Sequence, residues 1–358
     1  MPGIEIGGVT VKAGERRSIE LQVGQLYTHT ALHIPVEVIC GKRAGPVLLV
    51  CAAIHGDEIN GVEIIRRLLK TKLSRQIKGT LIAVPIVNVL GFVQRSRYLP
   101  DRRDLNRCFP GSEKGSLGAR IANLFRTQIV DKATHIIDLH TAAIHRSNLP
   151  QIRTNMDHPV SALMAEAFGA PVIINSTLRE GSLRGNADEN GLPVLTYEAG
   201  EALRFDEIAI AGGVRGIVGV MRALNMLGQP RSVKEPASKP ISRPVKDKAA
   251  PVVAKSSYWV RAEQDGILRP MVPLGARVEK DTILGVISAP LGEQELLVRA
   301  PTRGIVIGRV TLPLVNEGEA MFHIARFETV SGAERQVEAF HNAVMEDDEL
   351  NPDPAPLV

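Results

Sequence analysis

Residues 47–69 read VLLVCAAIHGDEINGVEIIRRLL, and the interpretation of this stretch decides the fold. The apolar run over 47–53 predicts a buried strand, while Ile59, Val62, Ile65 and Leu69 recur at the spacing of one helix face. His55 to Glu58 then form the turn between them. In open α/β sheets such turns, past the carboxyl ends of the strands, carry the chemistry.

The same alternation continues along the chain. Apolar runs at 81–87, 135–139, 172–174 and 194–197 predict further strands. Between them Ile121, Leu124, Phe125 and Ile129 share a helical face, and a long amphipathic stretch from Phe205 to Leu227 stops at Gly228, a plausible helix end. Alternating strands and helices predict a mixed or largely parallel sheet covered on both sides, an α/β domain over residues 1–228.

Composition bounds the rest. With 358 residues and 44% hydrophobic content the chain can bury a sizeable core and divides into two domains. No apolar run approaches the roughly 18 residues of a membrane helix, and MPGIEIGGVT lacks the basic and apolar regions of a secretory signal. Cys40, Cys51 and Cys108 are odd in number and lack metal-ligand spacing, which argues against a disulfide framework and fits a reducing cytoplasm. The net charge of +4 resides in one segment: residues 229–255 hold seven lysines and arginines against Glu235 and Asp247, a local +5. Five prolines there mark an extended, solvated linker, so the basic balance does not imply nucleic acid. Residues 328–358 form an acidic tail whose end is expected to be disordered.

After the linker, residues 256–327 change to short strands with turns, and they repeat. VRAEQDGI from Val260 returns as VRAPTRGI from Val298, and Val278, Leu284 and Ile287 recur as Val315, Met321 and Ile324, one residue out of register. Two such halves resemble the biotinyl/lipoyl barrel-sandwich, an all-β module. Its modified lysine would fall near Leu291, within SAPLGEQE, where no lysine stands. A swinging-arm carrier is therefore disfavoured against a packing or oligomerisation module.

Four motifs carry the chemistry. In HGDE, His55 and Glu58 lie three apart at a helix entrance and can share one metal ion, although His55 could instead cap the helix and Glu58 favour its positive end. HIIDLHT places His140 at the end of another strand, at the same sheet edge as His55, completing two histidines and one glutamate with a fourth zinc position left for water. Asp138, on the same side of that strand as His140, is a candidate outer partner for the ligating ring, with a surface salt bridge the alternative. His135 and His145 read as solvated loop residues. In PVLTYEAG, Glu198 abruptly closes an apolar run; it could be an ordinary N-cap or salt-bridge partner, but beside zinc it becomes a general base. SRYLPDRRDLNRCFPG clusters Arg97, Arg102, Arg103 and Arg107, a set of planar forks suited to a small carboxylate, with phosphate as the competitor.

HGDE, DLNR, DLHT and the glutamate of TYEAG occur in the order used by the succinylglutamate desuccinylase/aspartoacylase family of the zinc carboxypeptidase superfamily, and residues 40–228 resemble it. The resemblance implies a carboxypeptidase-like mixed sheet flanked by helices, followed by a β domain that narrows access. It implies one Zn2+ per chain on His55, Glu58 and His140, with Glu198 as the catalytic glutamate. Asn106 and Arg107 would hold a substrate carboxylate, and Arg97 would stabilise the oxyanion, with Arg102 and Arg103 as contenders. Arg184, in SLRGNAD, is a further substrate contact on a looser match. Tyr258 and Trp259 begin the β module and are read as core aromatics before pocket residues. The activity implied is hydrolysis of a small N-acyl amino acid. A carboxypeptidase for short peptides or γ-glutamyl conjugates and a non-catalytic metal- or carboxylate-binding protein are the alternatives. A homo-oligomer is left open; membrane and nucleic-acid partners are not expected.

Overall fold

A computed structural model describes residues 3–71, 76–176, 179–228, 252–292, 295–327 and 330–345. A short pair, β1 (Ile4–Ile6) and β2 (Val9–Val11), precedes a long hairpin of β3 (Arg16–Gln25) and β4 (Ala31–Cys40). Strands and helices then alternate: β5 (Val47–Ala52), α1 (Asn60–Lys70), β6 (Thr80–Val84), α2 (Val89–Gln94), α3 (Leu117–Gln128), β7 (His135–Ala142), β8 (Arg146–Thr154), α4 (Pro159–Phe168), β9 (Val172–Asn175), α5 (Leu183–Glu189), β10 (Val194–Glu201) and α6 (Glu207–Ala223). β11 (Val252–Ala254) leads into β12 (Ser256–Arg261), β13 (Gly266–Pro270), β14 (Arg277–Val278) and β15 (Ile283–Ser288). The chain continues through β16 (Glu295–Arg299), β17 (Gly304–Val310), β18 (Leu314–Val315), β19 (Ala320–Arg326) and α7 (Val330–Met345).

The strand order β3-β4-β6-β5-β7-β10-β8 makes a mixed sheet, with β6, β5, β7 and β10 mutually parallel and β8 antiparallel to β10. β5 explains why its sequence is continuously apolar. Leu48, Val50 and Ala52 face a core shared with α1, α4 and α6, while Leu49 and Cys51 face the opposite core with α3, because successive side chains of a strand point to opposite faces.

Helix α1 forms where the spacing predicts it, but its buried face is turned by about one position. Gly61, Ile64, Ile65 and Leu68 are buried, whereas Ile59, Val62 and Leu69 are only half-buried. The cause is Gly61: a Cβ there would lie 2.7 Å from Ala52 Cβ and 2.8 Å from Leu139 Cβ, so the helix touches the sheet at a residue that hydrophobic patterning cannot mark. Ile64, Ile65 and Leu68 each contribute about 1.5–3 kcal/mol by burial, which outweighs the helix cost of the glycine. β6 stops at Val84 rather than 87, because Pro85 has no N–H for the ladder.

The repeated region forms two four-stranded halves, β12–β15 and β16–β19, whose pairings mirror each other. β12 pairs β19 as β16 pairs β15; β13 pairs β15 as β17 pairs β19; β14 pairs β17 as β18 pairs β13. Val278, Leu284, Ile287, Val315, Met321 and Ile324 all lie in the module's own core. The module is not separated from the first domain. β17 pairs antiparallel with β8, making one sheet of 13 strands among the described residues. β11, inside the segment read as linker, pairs in parallel with β9, and the linker's residues 229–251 lie outside the described residues. Residues 330–345, read from sequence as part of a tail, form α7, with Val337, Phe340 and Val344 buried; the tail's end lies outside the described residues. Among the described residues no helix is long and apolar enough to cross a membrane.

Candidate metal centre and catalytic cavity

The HGDE turn leaves β5 through Ala53, held at a φ of +48°, and enters α1 with the Glu58 N–H donating to the His55 carbonyl at 3.2 Å. Gly56 is required in this turn, since a Cβ there would sit 2.0 Å from the Gly91 carbonyl carbon and 2.2 Å from the Phe92 nitrogen. The turn is thereby pressed against α2. His140 lies within β7 rather than at its end, and its Cα pairs in register with that of Glu198 on β10.

His55, Glu58 and His140 converge: one ligand atom from each lies within 4.8 Å of the others, and all three residues are buried. The Nδ1 atoms of His55 and His140 sit 2.7 and 2.8 Å from the two Glu58 oxygens. Arg97 and the backbone N–H of Thr141 also donate to that carboxylate, each at 3.1 Å. Burial opposes a charge on Glu58, but His55 and then His140 hold its carboxyl well below the ordinary carboxylate range. Burial likewise opposes a charge on the rings. Glu58 and Asp104 nevertheless raise His55, and Asp138 and Glu58 raise His140 further above the usual imidazole value.

Each ring's other nitrogen is held by a second carboxylate. His140 Nε2 lies 2.8 Å from Asp138 Oδ2, and His55 Nε2 lies 3.1 Å from Asp104 Oδ1. Asp104 also accepts from the Asn106 N–H at 2.8 Å and pairs with Arg97 at 3.1 Å, so one carboxylate ties His55 to the DLNR turn. Burial opposes its charge; His55, Arg97 and Arg107 hold its carboxyl well below the usual range. Two imidazoles, one carboxylate and an outer carboxylate on each imidazole are the donor set that zinc takes in catalytic sites. The three inner residues could hold a metal ion.

Glu198 faces the same cavity from β10, its side chain 22% exposed. Its Oε1 lies 3.1 Å from Arg153 Nε, and its Oε2 accepts from Asn148 Nδ2 at 3.0 Å. The cavity, about 480 Å³, is lined by His55, Glu58, His140 and Glu198 together with Arg97, Arg107, Arg146, Arg153, Arg179 and Arg184. Asn106 also lines it, its Oδ1 fixed by the Leu183 N–H at 2.8 Å. Burial, then the neighbouring Arg153, holds the Arg184 guanidinium below its ordinary value.

Most residues singled out in the sequence therefore meet in one place: His55, Glu58, His140, Glu198, Arg97, Asn106, Arg107 and Arg184. Arg103 does not. Its side chain is 60% exposed, pairs with Asp101 at 3.6 Å and is absent from the lining, because the turn carrying it faces outward; Arg102, exposed at a φ of +64°, is absent too. Tyr258 packs against the module core as expected, but Trp259 lines the cavity, stacked on His323 with ring centroids 4.6 Å apart and Arg146 over its face. Sequence reasoning missed His323, Asn148, Arg153 and Asp104. Only Asp104 had a usable signal, as the acid of the DLNR motif, which the fold sets against the candidate ligand His55.

Residues 44–224 match the family described as succinylglutamate desuccinylase/aspartoacylase catalytic domain. The chain is 26% identical over 306 residues to the N-alpha-acetyl-L-2,4-diaminobutyric acid deacetylase of Halomonas elongata, covering 82% of this chain and 86% of that protein. Its fold is similar to the product-bound ectoine utilization protein EutE (DoeB) of Ruegeria pomeroyi, at a TM-score of 0.76, 23% identity and coverage of 91% and 98% of the two chains. It is also similar to a succinylglutamate desuccinylase/aspartoacylase of Rhodobacter sphaeroides, at a TM-score of 0.75, 22% identity and coverage of 88% and 95%.

Proposed function

The chain belongs to the succinylglutamate desuccinylase/aspartoacylase family, and from that membership and the cavity's geometry we propose a zinc-dependent amidohydrolase that cleaves small N-acyl amino acids. One observation carries the reading: the His55, Glu58 and His140 cluster opens on the same cavity as Glu198 and Arg97. A protein that only bound a metal or a carboxylate would have no use for that combination.

Zinc on the three residues would supply a Lewis acid for the acyl carbonyl and bring the pKa of a water to about 7. Glu198 takes the proton of the attacking water and returns it to the departing nitrogen. Arg97, pinned between Glu58 and Asp104, offers its guanidinium to the oxygen on which charge develops. Asn106 and Arg107 hold the α-carboxylate, the former pre-oriented by its bond from Leu183. Ser257, Trp259 and His323 of the module close one side, which supports a small substrate over an extended peptide. The mirrored strand pairings of the module support the barrel-sandwich reading of that domain.

Six arginines against Glu58 and Glu198 leave the lining strongly cationic. That imbalance favours a substrate with a second carboxylate, on the acyl group or the side chain, over one with an amine-bearing side chain. The test is zinc content measured together with hydrolysis of N-acetyl-L-aspartate, N-succinyl-L-glutamate, Nα-acetyl-L-2,4-diaminobutyrate and a short peptide, before and after chelation. Hydrolysis of a dicarboxylate, lost on chelation and restored by zinc, is expected. A zinc-loaded protein that cleaves none of the four refutes the hydrolase reading, and preference for the diaminobutyrate refutes the second carboxylate.

A further inference from the structure

Both groups that hold Glu198 come from β8, and the C-terminal module stands behind each. Asn148 is 7% exposed and pairs in register with Gly200 of β10 on one side and with Gly308 of β17 on the other. The ladder of β10 is irregular between Glu198 and Gly200, so the backbone alone does not aim the Glu198 side chain. Its direction depends on the groups its oxygens meet.

The Asn148 amide presents Nδ2 to Glu198 and lies over Gly308. A Cβ at Gly308 would be 2.9 Å from Asn148 Oδ1, 3.2 Å from His323 Cβ and 3.6 Å from Trp259 Cη2. The amide fits between β17 and Glu198 only because residue 308 has no side chain. Arg153, the second partner of Glu198, has His323 of β19 beside it. Burial, with Arg153 adding to it, pushes His323 down to about 3, so that ring is neutral near pH 7 and does not repel the guanidinium.

We propose that the C-terminal module is a working part of the active site: β17 seats Asn148, and Asn148 orients the Glu198 carboxylate, which makes Asn148 and Gly308 positioning residues. The proposal rests on Glu198 being the proton carrier. It differs from a role in narrowing access, because it predicts a loss in kcat without a matching change in KM.

The experiment is a double-mutant cycle on the zinc-loaded full chain, with Asn148→Asp, Gly308→Ala and the pair, assayed on whichever dicarboxylate of the panel is cleaved. Asn148→Asp keeps the side chain's shape but removes the donor and faces Glu198 with a like charge. Each single variant should lower kcat about ten- to hundredfold, with KM within about threefold and zinc content unchanged. The pair should be no worse than Asn148→Asp alone, because both changes act through one amide. A crystal structure of zinc-loaded Gly308→Ala should show the Asn148 amide turned away from Glu198. That readout stands whether or not any panel member is cleaved, so an inactive wild type would count against the hydrolase reading alone. Additive losses in the pair, near-normal kcat in Gly308→Ala, or an unmoved amide in its crystal structure would overturn the proposal.

Discussion

Asp138→Asn isolates the outer support of the candidate metal centre from the three inner residues that would hold the ion. Asp138 is 1% exposed, and its Oδ2 lies 2.8 Å from His140 Nε2 while its Oδ1 takes the Cys51 thiol at 3.4 Å. Asparagine fills the same volume, so no cavity penalty enters. It can present only one oxygen, however. If that oxygen accepts from His140, the amide NH2 is left facing Cys51 sulfur, a weak acceptor. If the amide turns, its NH2 meets Nε2, which must then give up its proton to Nδ1, the nitrogen that faces Glu58 and would ligate zinc. Either arrangement weakens the ring as a donor. Loss of such an outer partner costs about 10–100-fold in metal affinity, or about 1.4–2.7 kcal/mol.

The assay is a competition titration of the variant and the wild type against a chromogenic zinc chelator, with kcat measured at saturating zinc. The zinc Kd should rise by about 10–100-fold, while kcat at saturation stays within about threefold, because Asp138 does not line the cavity. A Kd within about threefold of wild type would refute the reasoning: the bond to Asp138 would then be a consequence of packing and not a support of the ligand.

Further outcomes follow from the same geometry. Glu198→Gln should keep zinc bound and lower kcat by about 10²–10⁴, which metal analysis and steady-state kinetics would check; near-wild-type turnover would remove Glu198 from its role. Gly56→Ala should cost about 3 kcal/mol or more, because its Cβ would meet the backbone of Gly91 and Phe92, and denaturant melts would show a smaller change if the turn can shift. The stripped protein should lose stability as pH rises. His55 and His140 have raised values in the fold, so their contribution is complete below the ordinary imidazole pKa and fades as pH climbs through the raised values. Glu58, held low, keeps its contribution at every pH above the ordinary carboxylate value and loses it only in strong acid. Melting temperatures in chelator at pH 6 and pH 9 should fall in that order, whereas zinc should stabilise more at pH 9, since binding displaces protons.

The parallel centre of the sheet was legible because its strands are buried on both faces, and burial on both faces leaves an unbroken apolar run. β8 was not. RSNLPQIRT alternates polar and apolar residues around Pro150, and a proline with no strong apolar run reads as loop. Its polar residues are there for a reason that only the fold supplies: Asn148 and Arg153 face Glu198, and Gln151 donates to the Ile307 carbonyl of the module at 3.4 Å. α7 was obscured in a similar way, because its apolar residues bury against a partner the sequence does not juxtapose: Gly212 of α6, where a Cβ would be 2.4 Å from the Phe340 ring.

His55, Glu58, His140 and Glu198 could be singled out as candidates in advance because each sits in a short local motif, at a turn or strand whose identity neighbouring residues announce, and the fold brings all four to one cavity. Arg103 illustrates the opposite case. Four arginines within 97–107 look equivalent along the chain, and only the direction of the turn separates Arg97 and Arg107, which enter the cavity, from Arg103, which does not. The same limit hid the module's share of the site. Trp259 and His323 are 64 residues apart in sequence and stack face to face, and they reach the cavity only because β17 extends the sheet beyond β8. The repeat at Val260 and Val298 predicts a closed β unit, but nothing in either half says which edge will remain free to pair with another strand. That edge is β17, and its pairing with β8 brings the C-terminal module to within one side chain of the Glu198 carboxylate.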